Sequence, residues 1–383
     1  MVCRNALIYT GSGYVRGSFS VVNGVFGDIV PDDAESDLIS LSSDGDVIDL
    51  GGRRVLPGLT DIHIHGAAGA DLSDGNTESI ERMASYLAEH GVTSFAPASV
   101  TQPYDRLAAA FDAARRYGAA GHPGLSRLAG IHMEGPYLSD ARRGAQNPDY
   151  LRDPDIDEFR SLYETSGEMI RIVDVAPELT GAGKFTSEAS RLCRVSVSHT
   201  NADHAAASRI FDAGASHLTH LFNAMSPIHH REPGVIGAAS ERDDVTAELI
   251  CDGLHVHPSA VRMAFKLFPG RICLISDALR CMGMPDGRYD LGGQTVTVEN
   301  SQARLSDGTL AGSCTDLFRC MKNAIRFGIP EDEAIRAATI VPAECIGMDD
   351  EIGSIAPGKA ADFIVCDDDL DLKGVFIGGV KIR

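Results

Sequence analysis

Apolar runs and amphipathic segments alternate along most of the chain. Eight runs of strand-like length cover residues 59–65, 92–99, 127–134, 170–178, 194–200, 216–223, 246–253 and 271–278. Intervening segments such as residues 77–91 and 201–215 carry apolar residues at helical spacing and stop at glycine. Eight strand-plus-helix units predict a parallel (β/α)8 barrel of the TIM type. A doubly wound open sheet is the alternative, but no GxGxxG motif follows an early strand.

The two ends of the chain follow another pattern. Both contain short β runs separated by Gly, Asn and Asp turns, and "ADFIVCDDD" near the C-terminus is one of them. We therefore predict a small β-sandwich domain built from residues 1–55 and 350–383. Residues 56–349 are predicted to form the barrel domain.

A long insertion follows the eighth apolar run. Residues 283–313 have the pattern of a β-hairpin or flap. A helix is predicted to open at Ser313, with Asp316 three residues on as part of a capping box. In a barrel, loops at this position often carry function.

Composition narrows the class of protein. A hydrophobic fraction of 44% and a charged fraction of 23% are typical of a soluble globular protein. The formal net charge of −20 argues against a nucleic-acid or anionic membrane surface as partner. No apolar run is long enough for a membrane span, and the N-terminus does not read as a secretory signal. Nine scattered cysteines without CxxC pairs suggest reduced thiols, and hence a cytoplasmic protein.

Polar residues are concentrated where the apolar runs end. In a barrel these ends meet at one mouth, which is where active sites of this fold lie. One strand-end histidine is more often structural than functional. Several titratable groups buried together, however, need compensation, which a divalent cation can give. The residues concerned are His63, His65, Glu134, His199, His220 and Asp277.

These residue types indicate a metal site. Imidazole nitrogen and carboxylate oxygen are ligands that Zn²⁺, Fe²⁺, Mn²⁺ and Co²⁺ favour, so Glu134, His199 and His220 would form one three-ligand site. His63 and His65 lie two apart on a strand and share a face, so they could complete a second site.

Asp277 is the predicted proton-transfer group of a metal-assisted hydrolysis. No serine nucleophile elbow, Cys/His pair or P-loop motif competes with this reading.

The motifs around these residues resemble the amidohydrolase superfamily, and within it the N-acetylglucosamine-6-phosphate deacetylase family. The resemblance runs through nearly all of residues 50–369. It rests on "PGLTDIHIHG" (57–66), "GIHMEGPYLS" (130–139), "VSHTNAD" (197–203), "THLFNAMSPIHHREPG" (219–234), "CDGLHVHP" (251–258), "LISDA" (274–278) and "GTLAGS" (308–313).

The resemblance implies hydrolysis of the acetamide of N-acetylglucosamine 6-phosphate to glucosamine 6-phosphate and acetate. Glu134, His199 and His220 match the family's principal metal ligands and Asp277 its catalytic acid/base. Members that keep the two histidines equivalent to His63 and His65 can hold two metals, so one or two divalent cations (Zn, Fe, Mn or Co) per subunit are expected.

The resemblance also implies a set of substrate contacts. Arg231 matches a phosphate-binding arginine, and His255 matches a further phosphate or hydroxyl contact. In this family the arginine serves a neighbouring subunit, which implies a homodimer. Where many members have a histidine that polarises the acetyl carbonyl, this chain has Gln146, which can donate a hydrogen bond but cannot carry charge. The full set is Ala145, Gln146, Asn223, Ala224, Arg231, His255, Leu310, Ala311 and Gly312.

Two alternatives stay open on the sequence. Another amidohydrolase (a deaminase, a cyclic amidase or a dipeptidase) would keep the barrel and metal. Such two-metal enzymes often bridge the metals with a lysine on the fourth strand, and residues 170–178 contain none. A catalytically silent homologue would have lost a ligand or the aspartate, and none is missing.

Overall fold

The structure is a computed structural model that describes residues 1–32 and 47–383. Its strands, in chain order, are β1 (Val2–Tyr9), β2 (Tyr14–Val22), β3 (Val25–Pro31), β4 (Val47–Asp49), β5 (Arg54–Pro57), β6 (Leu59–Ile64), β7 (Gly66–Ala67), β8 (Ala70–Asp71), β9 (Val92–Pro97), β10 (Arg127–Leu128), β11 (Ile131–Met133), β12 (Ile170–Val175), β13 (Arg194–Val197), β14 (His217–Leu218), β15 (Thr246–Ile250), β16 (Ile272–Ile275), β17 (Gly287–Leu291), β18 (Gln294–Glu299), β19 (Gln302–Arg304), β20 (Phe363–Cys366), β21 (Leu372–Ile377) and β22 (Val380–Lys381).

The α-helices lie mainly between the barrel strands. None of those in the described ranges is long and apolar enough to cross a membrane. They are α1 (Thr77–Glu89), α2 (Tyr104–Ala120), α3 (Ile156–Thr165), α4 (Ala182–Ala189), α5 (His204–Asp212), α6 (Gly234–Ser240), α7 (Pro258–Leu267), α8 (Leu317–Arg326), α9 (Glu331–Ala338) and α10 (Ile340–Cys345).

The predicted barrel is present. Strand β6 pairs in parallel with β9, and β9 with β10, while β11 to β16 form a second parallel run in chain order. The third apolar run is thus divided into β10 and β11. Backbone hydrogen bonds from Asp277 to His63 and from His65 to Ala278, both 2.9 Å, join the eighth strand to the first. The closed barrel therefore brings residues 63–65 beside residue 277.

The first barrel helix shows how sequence pattern becomes structure. Helix α1 begins after Asn76, whose side chain accepts a hydrogen bond from the Ser79 backbone N–H and so caps the helix. Ile80, Met83 and Leu87 recur at helical spacing and are buried against the barrel, while residues 81, 82 and 85 are exposed. Its apolar face holds the helix on the sheet.

The chain ends build one curled sheet. Its strands follow the order β22-β21-β20-β5-β1-β2-β3, with β4 paired to β1, so both termini contribute. The sheet folds over its own core. The ring centroids of Phe19 in β2 and Phe363 in β20 are 5.2 Å apart, and the backbone N–H of Phe26 in β3 donates to the carbonyl of Lys359. A small β domain built from both chain ends is therefore present, and its paired strands belong to one sheet that curls over its core.

The sheet does not determine at which residues the small β domain ends and the barrel begins. The division at residues 55/56 and 349/350 stays a prediction, and residues 33–46 of the first segment lie outside the described residues.

The insertion after the eighth strand forms a three-stranded antiparallel sheet of β17, β18 and β19. The prediction that a helix opens at Ser313 is wrong. Helix α8 begins at Leu317, and its cap is Asp316, whose side chain accepts from the Arg319 N–H. The Ser313 hydroxyl instead donates to the carbonyl of Ser276 at the end of the eighth strand.

Candidate active site

Six titratable side chains meet at the carboxyl ends of the barrel strands, where the sequence places them. Each lies within, or at most two residues beyond, one of the strands β6, β11, β13, β14 and β16. Parallel strands of a closed barrel end on the same face, so residues far apart in sequence converge there. All six are buried: His63, His65, Glu134, His199, His220 and Asp277.

Three of them form a tight triangle. Glu134 Oε1 lies 3.0 Å from His199 Nε2 and 3.0 Å from His220 Nε2, and the two nitrogens are 3.1 Å apart. One carboxylate oxygen and two imidazole nitrogens at these separations can ligate a single ion. The predicted three-ligand set is therefore assembled by the fold.

The other two histidines face the second oxygen of the same carboxylate. His65 Nε2 lies 3.4 Å from Glu134 Oε2 and 3.2 Å from Asp277 Oδ1. His63 Nε2 lies 3.9 Å from that glutamate oxygen and 3.7 Å from that aspartate oxygen. Glu134 thus presents one oxygen to each histidine pair, and His63, His65 and Glu134 form a second possible metal-binding group.

In three of the four histidines an acceptor on the far side of the ring fixes its orientation, whereas His220 Nδ1 is buried without a hydrogen-bond partner among the described residues. His63 Nδ1 lies 2.8 Å from a Glu248 carboxylate oxygen, and His199 Nδ1 lies 2.9 Å from the Arg142 carbonyl oxygen. His65 Nδ1 is 3.3 Å from a backbone carbonyl. Acceptors there hold a proton on Nδ1, so the Nε2 atoms of these three rings point inward. His63 Nε2 is buried without a hydrogen-bond partner among the described residues.

This donor set fits a divalent cation. Inward lone pairs that face carboxylate oxygens repel them unless a proton or a metal ion lies between them. Two imidazole nitrogens only 3.1 Å apart, at His199 and His220, have the same need. The site residues therefore match the metal chemistry expected of imidazole and carboxylate ligands.

Charge coupling explains the ionisation of the cluster. Burial opposes protonation of His65 and His220. Hydrogen bonding to Asp277 and Glu134 respectively, together with their charges, nevertheless raises the pKa of each ring to about 9. Burial likewise works against ionisation of the two carboxyls, yet the histidines hold the pKa of Glu134 well below its ordinary value and lower the pKa of Asp277. Both carboxylates are therefore ionised at neutral pH.

Three site residues have left-handed backbone conformations. The φ angles are 39° at His199, 32° at His220 and 47° at Asp277. For residues other than glycine, such conformations cost on the order of 1–3 kcal/mol each and persist at functional sites, where the surrounding structure enforces them. The barrel thus sustains strain at the positions that turn these side chains toward the centre.

Glu248, inside β15, supports the site but was missed by sequence reasoning. It is fully buried, and its Oε2 accepts from His63 Nδ1 at 2.8 Å and from the His220 backbone N–H at 3.1 Å. Although burial raises it, the pKa of Glu248 is held well below the ordinary value by the charges of His63 and His132. A glutamate in the apolar run "TAELI" was the available signal.

A second buried pair lies beside it. His132 Nε2 is 2.9 Å from Asp174 Oδ1, which also accepts from the Thr219 hydroxyl at 2.8 Å. Burial opposes protonation of His132, yet the charges of Asp174 and Glu248 raise its pKa to about 10. His132 is therefore a charged residue of the barrel interior rather than a member of the cluster at the mouth.

A cavity of about 240 Å³ opens above the cluster. Leu291, from β17, lines it, so the three-stranded insertion covers part of the site. Eight of the nine predicted substrate contacts line it: Ala145, Gln146, Asn223, Ala224, His255, Leu310, Ala311 and Gly312. Sequence reasoning did not select the other lining residues, which are Val100, Gly144, Leu279, Leu291 and Thr309.

Gln146 has a defined partner on each side. Its Nε2 donates to Glu134 Oε2 at 2.7 Å, and its Oε1 accepts from the Thr101 backbone N–H at 2.7 Å. The backbone donor fixes which end of the amide faces inward. One N–H of the Gln146 amide therefore orients Glu134. The other N–H is the one that could donate to the acetyl carbonyl of a substrate in the cavity.

His255 carries positive charge into the cavity. Its Nδ1 lies 2.6 Å from Asp252 Oδ2 and its Nε2 lies 2.8 Å from the Ala311 carbonyl oxygen. With an acceptor at both nitrogens, the ring is held as imidazolium. Burial opposes this, but the hydrogen bond and charge of Asp252 raise the pKa of His255.

Arg231 is the one predicted substrate contact that does not line the cavity of its own chain. It is exposed on the loop before α6, where its guanidinium donates to His230 Nε2 at 2.6 Å. The described residues that line the cavity include no lysine or arginine. Within one chain, cationic charge at the cavity therefore comes from histidine.

Comparisons with known proteins agree with this geometry. Residues 54–382 match the model of the amidohydrolase family. The chain is 40% identical over 324 residues to the N-acetylglucosamine-6-phosphate deacetylase of Bacillus subtilis, covering 83% of this chain and 82% of that protein. It is 36% identical over 325 residues to the N-acetylgalactosamine-6-phosphate deacetylase of Escherichia coli, covering 84% and 86% respectively.

Solved structures give the same result. A mutant N-acetyl-D-glucosamine-6-phosphate deacetylase of Mycobacterium smegmatis, in complex with N-acetyl-D-glucosamine-6-phosphate, matches with a TM-score of 0.91 at 31% identity. The match covers 100% of this chain and 99% of that one.

The contacts of Glu248 generate a prediction. Replacing Glu248 with Gln removes its negative charge and leaves one acceptor oxygen where two now serve His63 Nδ1–H, the His220 N–H and His217. We expect the affinity for a divalent cation to fall by about 10–100-fold, as when a partner that orients a metal ligand is lost. Competition with a chromogenic chelator measures this. Glu241→Gln, at an exposed glutamate paired with His204, is the matched control and should bind as the parent does. Equal affinity in both variants would contradict a supporting role for Glu248.

Proposed function

The chain belongs to the amidohydrolase family, and we propose on this basis that it hydrolyses the acetamide of N-acetylglucosamine 6-phosphate to glucosamine 6-phosphate and acetate. The observation that carries the proposal is the convergence of Glu134, His199 and His220 beside Asp277, at the floor of the cavity. Relatives with 40% and 36% identity that deacetylate amino-sugar 6-phosphates support the substrate class.

The residues at the mouth would hold one or two divalent cations. Glu134 Oε1, His199 and His220 would hold the first, and His63, His65 and Glu134 Oε2 the second. Zn²⁺, Fe²⁺, Mn²⁺ and Co²⁺ all suit this donor set. When bound, such a cation supplies Lewis-acid polarisation of a carbonyl oxygen and acidifies water enough for it to ionise near neutral pH.

Asp277 would carry the proton. Its pKa is lowered, so the carboxylate is free to accept a proton at neutral pH, and it borders the cavity. Oδ1 takes a proton from the attacking water as the water oxygen bonds to the acetyl carbon. The same proton then goes to the amide nitrogen as the carbonyl re-forms and the C–N bond breaks, which gives the amine and acetic acid; the acid passes its remaining proton to the amine or to solvent and leaves as acetate. His65 Nε2 lies 3.2 Å from Asp277 Oδ1, so the carboxylate is adjacent to the residues that would hold the second cation.

The rest of the cavity would hold the sugar and its phosphate. Asn223, Ala224 and the segment from Leu310 to Gly312 line its walls. The imidazolium of His255 supplies positive charge for a phosphate; both of its N–H groups are donated to Asp252 and the Ala311 carbonyl, so it acts through its charge. A dianionic phosphate needs more positive charge than one ring supplies in a chain with a net charge of −20.

A homodimer would supply the missing cation. Arg231 is exposed, lies outside the cavity of its own chain, and has the planar fork of donors that suits phosphate. We infer that Arg231 of a second copy reaches the phosphate end of the cavity.

The nine cysteines are all free in the described structure, which supports a reducing compartment, the cytoplasm.

A direct assay tests the proposed reaction. Purified protein reconstituted with each metal in turn should release acetate from N-acetylglucosamine 6-phosphate, with metal per chain measured on the same sample. N-acetylgalactosamine 6-phosphate is the second substrate to test, because one relative acts on it.

Asp277→Asn should lower kcat by about 10²–10⁴-fold through loss of proton transfer, with metal content unchanged. Near-parental turnover by this variant would remove Asp277 from the mechanism.

Subunit complementation tests the role of Arg231. Arg231→Ala should raise KM for the 6-phosphate more than for unphosphorylated N-acetylglucosamine, and Asp277→Asn should be inactive. In a dimer that carries one of each, one site has both Asp277 and the arginine of its neighbour. Co-expressed at equal amounts and assayed below KM, the two variants should regain about one quarter of parental activity, since half of randomly paired dimers are mixed. Activity no higher than the average of the separate variants would place Arg231 in its own chain's site or in none.

The charge of His255 predicts a pH dependence. Because its pKa is raised, the ring stays charged to a higher pH than free imidazole and loses its charge as the pH rises through that value. KM for the 6-phosphate should therefore increase with pH above 7, where the phosphate itself is already dianionic. His255→Gln should show a KM raised roughly tenfold or more at pH 7 and nearly independent of pH. His257→Gln, at an exposed histidine two residues away, should keep the parental profile. A parental profile in the His255 variant would contradict this role.

A further inference from the structure

Two cysteines lie together at the base of the three-stranded insertion. Cys281 precedes β17 and Cys314 follows β19, and their Sγ atoms are 3.3 Å apart although 33 residues separate them in the chain. Cys281 is 2% exposed, and Cys314 is partly exposed. The pair therefore spans the two points at which the insertion leaves and rejoins the barrel.

The surrounding backbone holds the pair in place. The Ser313 N–H donates to the Asp277 carbonyl at 2.6 Å, and the Leu279 N–H donates to the Ser313 carbonyl at 2.9 Å. These bonds join the segment after the eighth strand to the segment before α8, next to both cysteines. The two thiols also share an apolar cluster with residues of β17, β18 and β19. Neither thiol takes part in the proposed reaction.

We propose that Cys281 and Cys314 are a peroxide-reactive dithiol that closes to a reversible disulfide. The oxidant is a hydroperoxide such as hydrogen peroxide. The Cys314 thiolate attacks one peroxide oxygen, which breaks the O–O bond and gives a sulfenic acid and water after protonation. The Cys281 sulfur then attacks the Cys314 sulfur, the S–OH bond breaks, and a second water leaves with the thiol proton. Two thiols and one peroxide thus give one disulfide and two waters.

The local chemistry assigns the first step to Cys314. The hydrogen bond from the Cys281 thiol lowers the pKa of Cys314, and the nearby charge of His255 acts in the same direction, against burial and the charges of Asp286 and Asp252. The same hydrogen bond, followed by burial, raises the pKa of Cys281, which suits the second, resolving thiol. Cys193 is also partly exposed, but burial raises its pKa, so it serves as the matched control.

Closure of the bond would act on the active site. A disulfide has an S–S length of about 2.05 Å, so the two sulfurs must approach by more than an ångström. Leu310, Ala311 and Gly312 line the cavity just before Cys314, and Ser313 is bonded to Asp277. Because displacements of this size at a catalytic site are costly, we expect kcat/KM to fall at least threefold on oxidation and to return with dithiothreitol.

Peptide mapping tests the bond itself and needs no substrate, so its result does not depend on the proposed reaction. The full-length protein is treated with hydrogen peroxide, its remaining thiols are alkylated, and it is digested with trypsin. Cleavage after Arg280, Arg288, Arg304 and Arg319 leaves each cysteine as the single thiol of its peptide, residues 281–288 and 305–319. We expect to find these two peptides linked by a disulfide, with a mass two hydrogens below the sum of the separate peptides. After treatment with dithiothreitol they should appear as separate peptides.

Variants make the result specific. Cys281→Ser and Cys314→Ser should give no linked peptide and should keep their kcat/KM after peroxide, whereas Cys193→Ser should behave as the parent. Equal melting temperatures of the reduced proteins confirm that the variants are folded. Two results would overturn the proposal. One is overoxidation of Cys314 to a sulfinic acid without formation of the linked peptide. The other is that Cys281 and Cys314 are both still free thiols when Cys193 has reacted. A linked peptide with unchanged kcat/KM would overturn its connection to the active site.

Discussion

The buried carboxylate of Glu134 is the interaction on which the rest of the site depends. One of its oxygens faces His199 and His220, and the other faces His65 and, at longer range, His63. An ionised carboxylate in a barrel interior is costly unless cations and donors surround it. Histidines from three strand ends surround Glu134, and Gln146 donates to its second oxygen, which together offset that cost.

The barrel interior meets the same constraint one layer deeper. Glu248 accepts from His63 and from the backbone of His220, and Asp174 pairs with the charged His132. Glu248 keeps the proton of His63 on Nδ1, so the lone pair of Nε2 points toward the centre of the site. The chemistry at the mouth thus rests on polar side chains within strands that are otherwise apolar, and on backbone strain at His199, His220 and Asp277.

The outer half of the site is assembled from parts that the barrel alone does not contain. The three-stranded insertion covers one side through Leu291, and the segment that rejoins the barrel supplies Leu310 to Gly312. Charge for an anionic substrate is sparse: His255 is the cation that Asp252 and the Ala311 carbonyl hold in place. A net charge of −20 makes such local cations the determinants of where a phosphate can sit.

The sequence by itself determined the barrel and the group of residues at its mouth, and its motifs, through the family resemblance, pointed to eight more of the residues that line the cavity. Hydrophobic periodicity is a local property, and the ends of parallel strands must share one face. Only the tertiary structure decided which oxygen of Glu134 meets which histidine, that Glu248 supports His63, and that helix α8 begins at Leu317 rather than Ser313. It also placed Arg231 outside its own cavity and brought Cys281 beside Cys314. These contacts join residues distant in the chain, so strand register, barrel closure and side-chain packing set them, and none of these can be read from local pattern.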